Sequence, residues 1–109
     1  MRVWFNDQAL LNNIRTYRTN NPETVVIVVL FSGRPVSVQD YLNSWDAFVA
    51  AWLPGTEGGP AIVDVLFGNK DFVGRTPFTW RTTYLRNITP PHFPTGEVLY
   101  PYGHGLTKN

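Results

Sequence analysis

With 109 residues, 43% of them hydrophobic and 15% aromatic, the chain is long enough for one small core and too short for two ordinary domains. Nine Lys plus Arg against eight Asp plus Glu give a formal charge of +1, and the basic residues are scattered, so no tract argues for nucleic acid or an anionic membrane. The lack of cysteine excludes disulfides, thiolate nucleophiles and Cys-type zinc sites together.

The longest apolar run, Val25 to Phe31, is too short to cross a bilayer as a helix. The opening MRVWFNDQ lacks the apolar stretch of a signal peptide, which on this evidence alone implies a cytoplasmic chain or a piece of something longer. A single domain is expected over residues 1–109, with a helical segment at 1–23, an α/β core at 24–80 and a Pro/Gly-rich tail at 81–109.

In chain order, Asn6 or Asp7 can cap a first helix, because Leu10, Leu11, Ile14 and Tyr17 follow at helical spacing while Asn12, Asn13, Arg15 and Arg18 lie elsewhere. That apolar face is expected to pack on a sheet. Asn20, Asn21 and Pro22 end the helix, and Thr24 to Phe31 is then a β-branched, continuously apolar run, the pattern of a strand covered on both faces. Such a strand implies a parallel sheet flanked by helices. Val36 to Ser44 reads as a short helix or helical turn, and Asp46 to Leu53 as a second strand weakened by its alanines. After the loop PGTEGG, Pro60 to Phe67 resembles a helix with proline in its first turn, stopped by Gly68. From Asn69 onward proline and glycine become dense; Thr76 to Trp80 could form an edge strand, and the rest is expected to be a mostly irregular tail lying on the surface.

In an open α/β sheet ligands lie outside the carboxyl ends of the strands, so the turns SGRP (Ser32 to Pro35) and PGTEGG (Pro54 to Gly59) are where chemistry should be sought. Arg34 could offer its fork of donors to a carboxylate, a phosphate or a sugar hydroxyl, although an arginine bracing neighbouring loops is the plainer explanation. The glycine-rich loop is no phosphate cradle: GxxxxGK[ST] is absent and Glu57 would repel the anion. Glu57 could be an acid or base, or could bond the backbone donors of the helix beginning near Pro60, the structural role being favoured.

Other chemistries find less support. Glycoside hydrolysis needs two converging carboxyl groups, and the spacing of Asp46, Glu57, Asp64 and Asp71 specifies no pair. His92 and His104 show no metal-ligand spacing, and no GxSxG elbow is present. Trp4, Trp45, Trp52 and Trp80 with Tyr41, Tyr84, Tyr100 and Tyr102 suggest a sugar-stacking platform, yet most should be core or tail-docking residues. Asn87-Ile88-Thr89 is an N-glycosylation sequon, meaningful only in a eukaryotic secretory pathway.

The succession VLFSGRPVSV, DAFVAAWLPGTEGG, VDVLFG, GRTPFTW and YPYGHGL resembles the C-terminal α/β-sandwich domain of family 3 glycoside hydrolases, especially the exo-acting β-glucosidases and β-glucan glucohydrolases. The likeness runs from about Val25 to Thr107, with His104 at a position often occupied by Phe or Tyr. It implies a three-layer α/β/α sandwich with a mostly parallel sheet, of which this chain would be the latter part. Members of this type place the nucleophilic aspartate in an N-terminal barrel, and the exo-glucanase type places the acid/base glutamate upstream of the stretch matching Val25. Neither segment is in the sequence, so no residue inherits a catalytic role, and no cofactor or metal is implied.

On this resemblance the chain contributes scaffold and cleft wall to the hydrolysis of β-glucosides or β-glucans, with Arg34, Trp52 and Glu57 nearest the cleft as supports and with no activity of its own. The full-length enzyme would be periplasmic or secreted. A partial sheet would leave the Val25 to Phe31 edge open, so the resemblance implies a partner, either the N-terminal barrel domain or another copy. The rival reading is a non-catalytic carbohydrate- or protein-binding α/β module; a flavodoxin-like nucleotide binder is disfavoured by the failed loop motifs.

Overall fold

The structure, a computed structural model, describes residues 5–82 and 97–107. The sequon at Asn87 and His92 lie outside the described residues. Helix α1 spans Phe5–Asn20, so Asn6 and Asp7 stand inside it and not before it as caps; Asp7 lies in the first turn and Arg18 in the last, each facing the helix dipole favourably. Asn21 closes the helix, its backbone N–H and its side-chain Nδ2 both donating to Tyr17 O at 2.9 Å.

The expected docking face of α1 is only partly covered: Leu11 and Ile14 are half-buried, whereas Leu10 and Tyr17 are each 58% exposed, and the arginines make the polar contacts. Arg15 lies over the Tyr41 ring, 4.8 Å from its centroid, and donates to Asp40 O. Arg18 donates to Ser44 O at 2.8 Å and to Asp46 Oδ1 at 2.7 Å. The backbone acceptors are carbonyls in and just beyond a short helix, which have few partners of their own, and a guanidinium satisfies several at once.

Strand β1 (Ile27–Phe31) and strand β2 (Ala47–Trp52) pair in parallel. Between them Val36 and Val38 are buried and helix α2 (Gln39–Leu42) makes one turn, a crossover of the kind parallel strands require. The register runs from Ile27↔Ala47 to Leu30↔Ala50 and slips to Phe31↔Trp52. The α/β class with a parallel strand pair is therefore as the sequence predicts, but β1 is only half covered: its middle residues are half-buried and Phe31 is exposed. Among the described residues neither outer edge of the pair carries a further strand, which leaves the backbone groups of those edges without a ladder partner.

Helix α3 spans Gly58–Leu66 with Pro60 in its first turn. It ends as expected at Gly68, whose φ of +81° is the left-handed conformation that glycine adopts without strain. The edge strand expected at Thr76 to Trp80 is displaced: strand β3 is Trp80–Arg81, because Thr76 spends its backbone groups elsewhere and Pro77 has no N–H to give a ladder. The tail is not simply irregular either, since strand β4 (Val98–Tyr100) pairs antiparallel with β3, Trp80 opposite Tyr100.

The core is a chain of rings. Tyr41 stacks on Trp45 at 6.4 Å, Trp45 meets Phe48 at 5.5 Å, and Phe48 meets Trp80 edge-on at 5.6 Å. From Trp80 the chain forks to Trp52 at 5.8 Å and to Tyr100 at 6.3 Å. Trp80 is 1% exposed, and its indole N–H donates to Val36 O at 3.0 Å. Of these rings only Trp45 and Trp80 are buried, the others being half-buried; their offset and edge-to-face contacts add to simple burial.

Candidate functional site

The two turns singled out in the sequence stand side by side at the carboxyl ends of β1 and β2. Ser32 N–H donates to Trp52 O at 3.1 Å, carrying the strand pairing one step into the first turn. The Ser32 hydroxyl then donates to Arg34 O at 2.6 Å, folding the turn on itself. Gly33 sits against the exposed Leu53, whose Cδ1 lies 3.5 Å from where a Cβ at Gly33 would be.

Trp52 is the turn pair's conformational outlier. Its φ of +57° makes it the one non-glycine residue at positive φ among the described residues, at the point where the parallel register slips. A bulky residue held there is strained by about 1–3 kcal/mol, and such strain persists only where surroundings over-determine it. The surroundings are Phe78, edge-on at 5.4 Å, and Trp80.

Arg34 and Glu57 are both exposed at this end of the sheet. The expectation that Glu57 bonds the first donors of the following helix is not met: Glu57 is the residue before α3, yet its carboxylate makes no capping hydrogen bond. Its backbone, at φ −90° and ψ 7°, is far from the extended conformation that turns a capping side chain back over the helix. Its carbonyl is engaged instead, accepting from Ala61 N–H at 3.3 Å.

Asp46, one of the four candidate carboxylates, is structural. Its Oδ2 accepts from Val26 N–H at 2.7 Å and its Oδ1 from Arg18. The hydrogen bond from Val26 holds the carboxyl below its ordinary value; slight desolvation opposes this and the Arg18 charge adds to it. A depressed carboxyl contributes stability above its unfolded pKa of about 3.9 and loses it as pH falls through the folded value. Asp46→Asn should therefore flatten the acid limb of a Tm-against-pH curve below about pH 4; an acid limb as steep as the parent's would assign it to other groups.

Nothing in the sequence pattern signals that GRTPFTW and YPYGHGL are two halves of one clasp. Thr76 N–H donates to His104 O at 2.8 Å, and Thr76 O accepts from Gly103 N–H at 2.8 Å. The Thr76 hydroxyl donates to Pro101 O at 2.7 Å and accepts from His104 N–H at 2.9 Å. Arg75 donates to Gly105 O, and the His104 ring stacks on Tyr100 at 4.9 Å, where burial pushes the Tyr100 phenol up. Dense Gly and Pro were the available signal, but composition does not say which loops meet.

An open groove of about 500 Å³ lies between α1 and the start of β1, lined by Asn13, Ile14, Tyr17, Val25, Val26 and Ile27. Arg34, Trp52 and Glu57 do not line it. Among the described residues no three His, Asp or Glu side chains gather as a metal site would require.

Known proteins share this architecture. A structure of the exo-1,3/1,4-beta-glucanase from a Pseudoalteromonas species superposes with a TM-score of 0.69 at 36% identity, over 92% of this chain and 13% of that one. The xylan 1,4-beta-xylosidase of Xylanibacter ruminicola is 35% identical over 92 residues, 75% of this chain and 10% of its own. The periplasmic beta-glucosidase of Salmonella typhimurium is 31% identical over 103 residues, 75% of this chain and 14% of its own. The chain thus spans between a tenth and a seventh of the length of these relatives. The sequence pattern of the glycosyl hydrolase family 3 C-terminal domain matches residues 1–108, and with the motif order and the shared fold this places the chain in that family.

Proposed function

We propose that this chain serves as scaffold and cleft wall for an enzyme of the β-glucosidase or exo-β-glucanase type, acting on β-glucosides or β-glucans. The carrying observation is the likeness to the Pseudoalteromonas exo-glucanase, which extends over 92% of the chain. Arg34, Trp52 and Glu57 stand at the cleft side as supports and not as acid or nucleophile. What supports their placement is their common position at the carboxyl ends of β1 and β2, where ligands approach sheets of this class.

The working partner is the barrel domain of such an enzyme or, for the isolated chain, a second copy. Its support is the open outer edge of β1, whose Ile27 and Phe31 are exposed, since an unblunted apolar edge pairs with whatever strand is offered. One preparation tests the reading. The purified chain should leave an aryl β-glucoside unhydrolysed, as should Glu57→Gln, and light scattering should find it associated. Turnover abolished by Glu57→Gln, or a strictly monomeric and cooperatively melting species, overturns it.

A further inference from the structure

Backbone pairing sets β1 and β2 as far as Phe31 and Trp52, and beyond that point the ladder reaches only Ser32. Besides the turns' own local hydrogen bonds, the groups flanking them are met by residues far along the chain. We infer that Trp52 and Trp80 are positioning residues through which the closing clasp sets both strand-end turns.

Trp80 touches both turns' supports at once. Its indole N–H holds Val36 O, one residue past the SGRP turn, and its ring bears on Trp52, the residue before Leu53 and the PGTEGG loop. Phe78, two residues before Trp80, covers Trp52 from a second side. Trp80 is itself fixed by pairing with Tyr100 and by the clasp at Thr76. The left-handed backbone of Trp52 is thus the hinge point: two aromatic neighbours hold it in a conformation that an unrestrained tryptophan would leave. Its carbonyl, so directed, holds Ser32 N–H. Within the PGTEGG loop Gly58 N–H donates to Gly55 O at 3.3 Å, and a Cβ at Gly58 would lie 2.7 Å from Pro54 Cβ, so the loop is close-packed next to its Trp52 anchor.

The bearing of this device on substrate rests on the reading of these turns as cleft wall, but its test does not. Amide hydrogen exchange of the 109-residue chain, followed by NMR, reads the turns directly. Trp52→Gly keeps the left-handed backbone permissible and removes the ring. It should speed exchange of Ser32 and Gly58 by about tenfold or more while the mid-strand amides of β1 and β2 keep their protection. Trp52→Phe, which retains an edge-to-face partner for Phe78, should restore protection. Thr76→Val, which removes the two hydroxyl hydrogen bonds of the clasp without touching either turn, should loosen the same two amides. Unchanged exchange at Ser32 and Gly58 in Trp52→Gly, uniform acceleration of every amide, or a Thr76→Val effect confined to residues 101–105 would each overturn the inference. Turnover of an aryl β-glucoside by the chain, abolished by Glu57→Gln, with intact exchange coupling would instead overturn the scaffold reading alone.

Discussion

Trp80→Ala is expected to cost about 3–5 kcal/mol, the range for emptying a large aromatic site in a packed core. Whole domains of this size are stable by only about 5–15 kcal/mol, so the variant should be largely unfolded or melt far below the parent. The effect exceeds simple burial because Trp80 is where the ring chain forks: Phe48, Trp52 and Tyr100 each lose a neighbour. Val36 O would also lose its donor, and leaving a buried acceptor unpaired adds about 1–3 kcal/mol. Trp80→Phe separates the two contributions, retaining ring contacts and losing the N–H. Urea unfolding monitored by circular dichroism measures both, and a loss below about 1.5 kcal/mol for Trp80→Ala would show that the hub is not where the fold is held.

Gly105→Ala should be the most damaging small substitution. A Cβ there would overlap Gly74 O and lie 3.0 Å from Arg75 Cδ. The first of these is backbone, and it cannot give way without displacing the neighbouring Thr76, which carries the clasp. Overpacking of this kind costs about 1–3 kcal/mol, a fall of roughly 4–8 °C in Tm per kcal/mol for domains approaching this size. Gly103→Ala is the informative contrast, with φ at +78° and nothing within 4 Å of the added methyl. It meets only the left-handed backbone penalty of about 1–2 kcal/mol. A thermal melt in which Gly105→Ala is the milder of the two would mean that the clasp accommodates the methyl by opening.

Several features of the chain are local and are readable without a structure. Helix α1 ends at Asn20 because Asn21 and Pro22 follow, and α3 stops where Gly68 permits a left-handed residue. The two apolar runs become β1 and β2, and the stretch 32–46 between them is long enough for the crossover that parallel pairing needs. The ordered motifs, each short and carrying its own turn chemistry, point to the family that the comparisons establish.

The arginine contacts of α1 escaped such reasoning for a physical reason. Periodicity identifies an apolar face and assumes that it finds the core, whereas Arg15 and Arg18 found carbonyl acceptors and an aromatic ring on the α2 side. Glu57 was misjudged in the same way: residue type favoured a cap, and a backbone conformation decided against it. Asp46, one of four equivalent-looking carboxylates in the sequence, is set apart only by Val26 N–H and Arg18, which lie 20 and 28 residues away.

Fold class and the main strands and helices were legible in the sequence, because they depend on propensities and patterns confined to a dozen residues at a time. The family was legible through the resemblance carried by the order of five short motifs. That GRTPFTW and YPYGHGL close on each other, and that Trp80 ties this clasp to the ends of β1 and β2, emerged with the packed chain alone. Those are contacts between residues that no local period relates, chosen by which partners satisfy buried groups and fill space once the whole chain is packed.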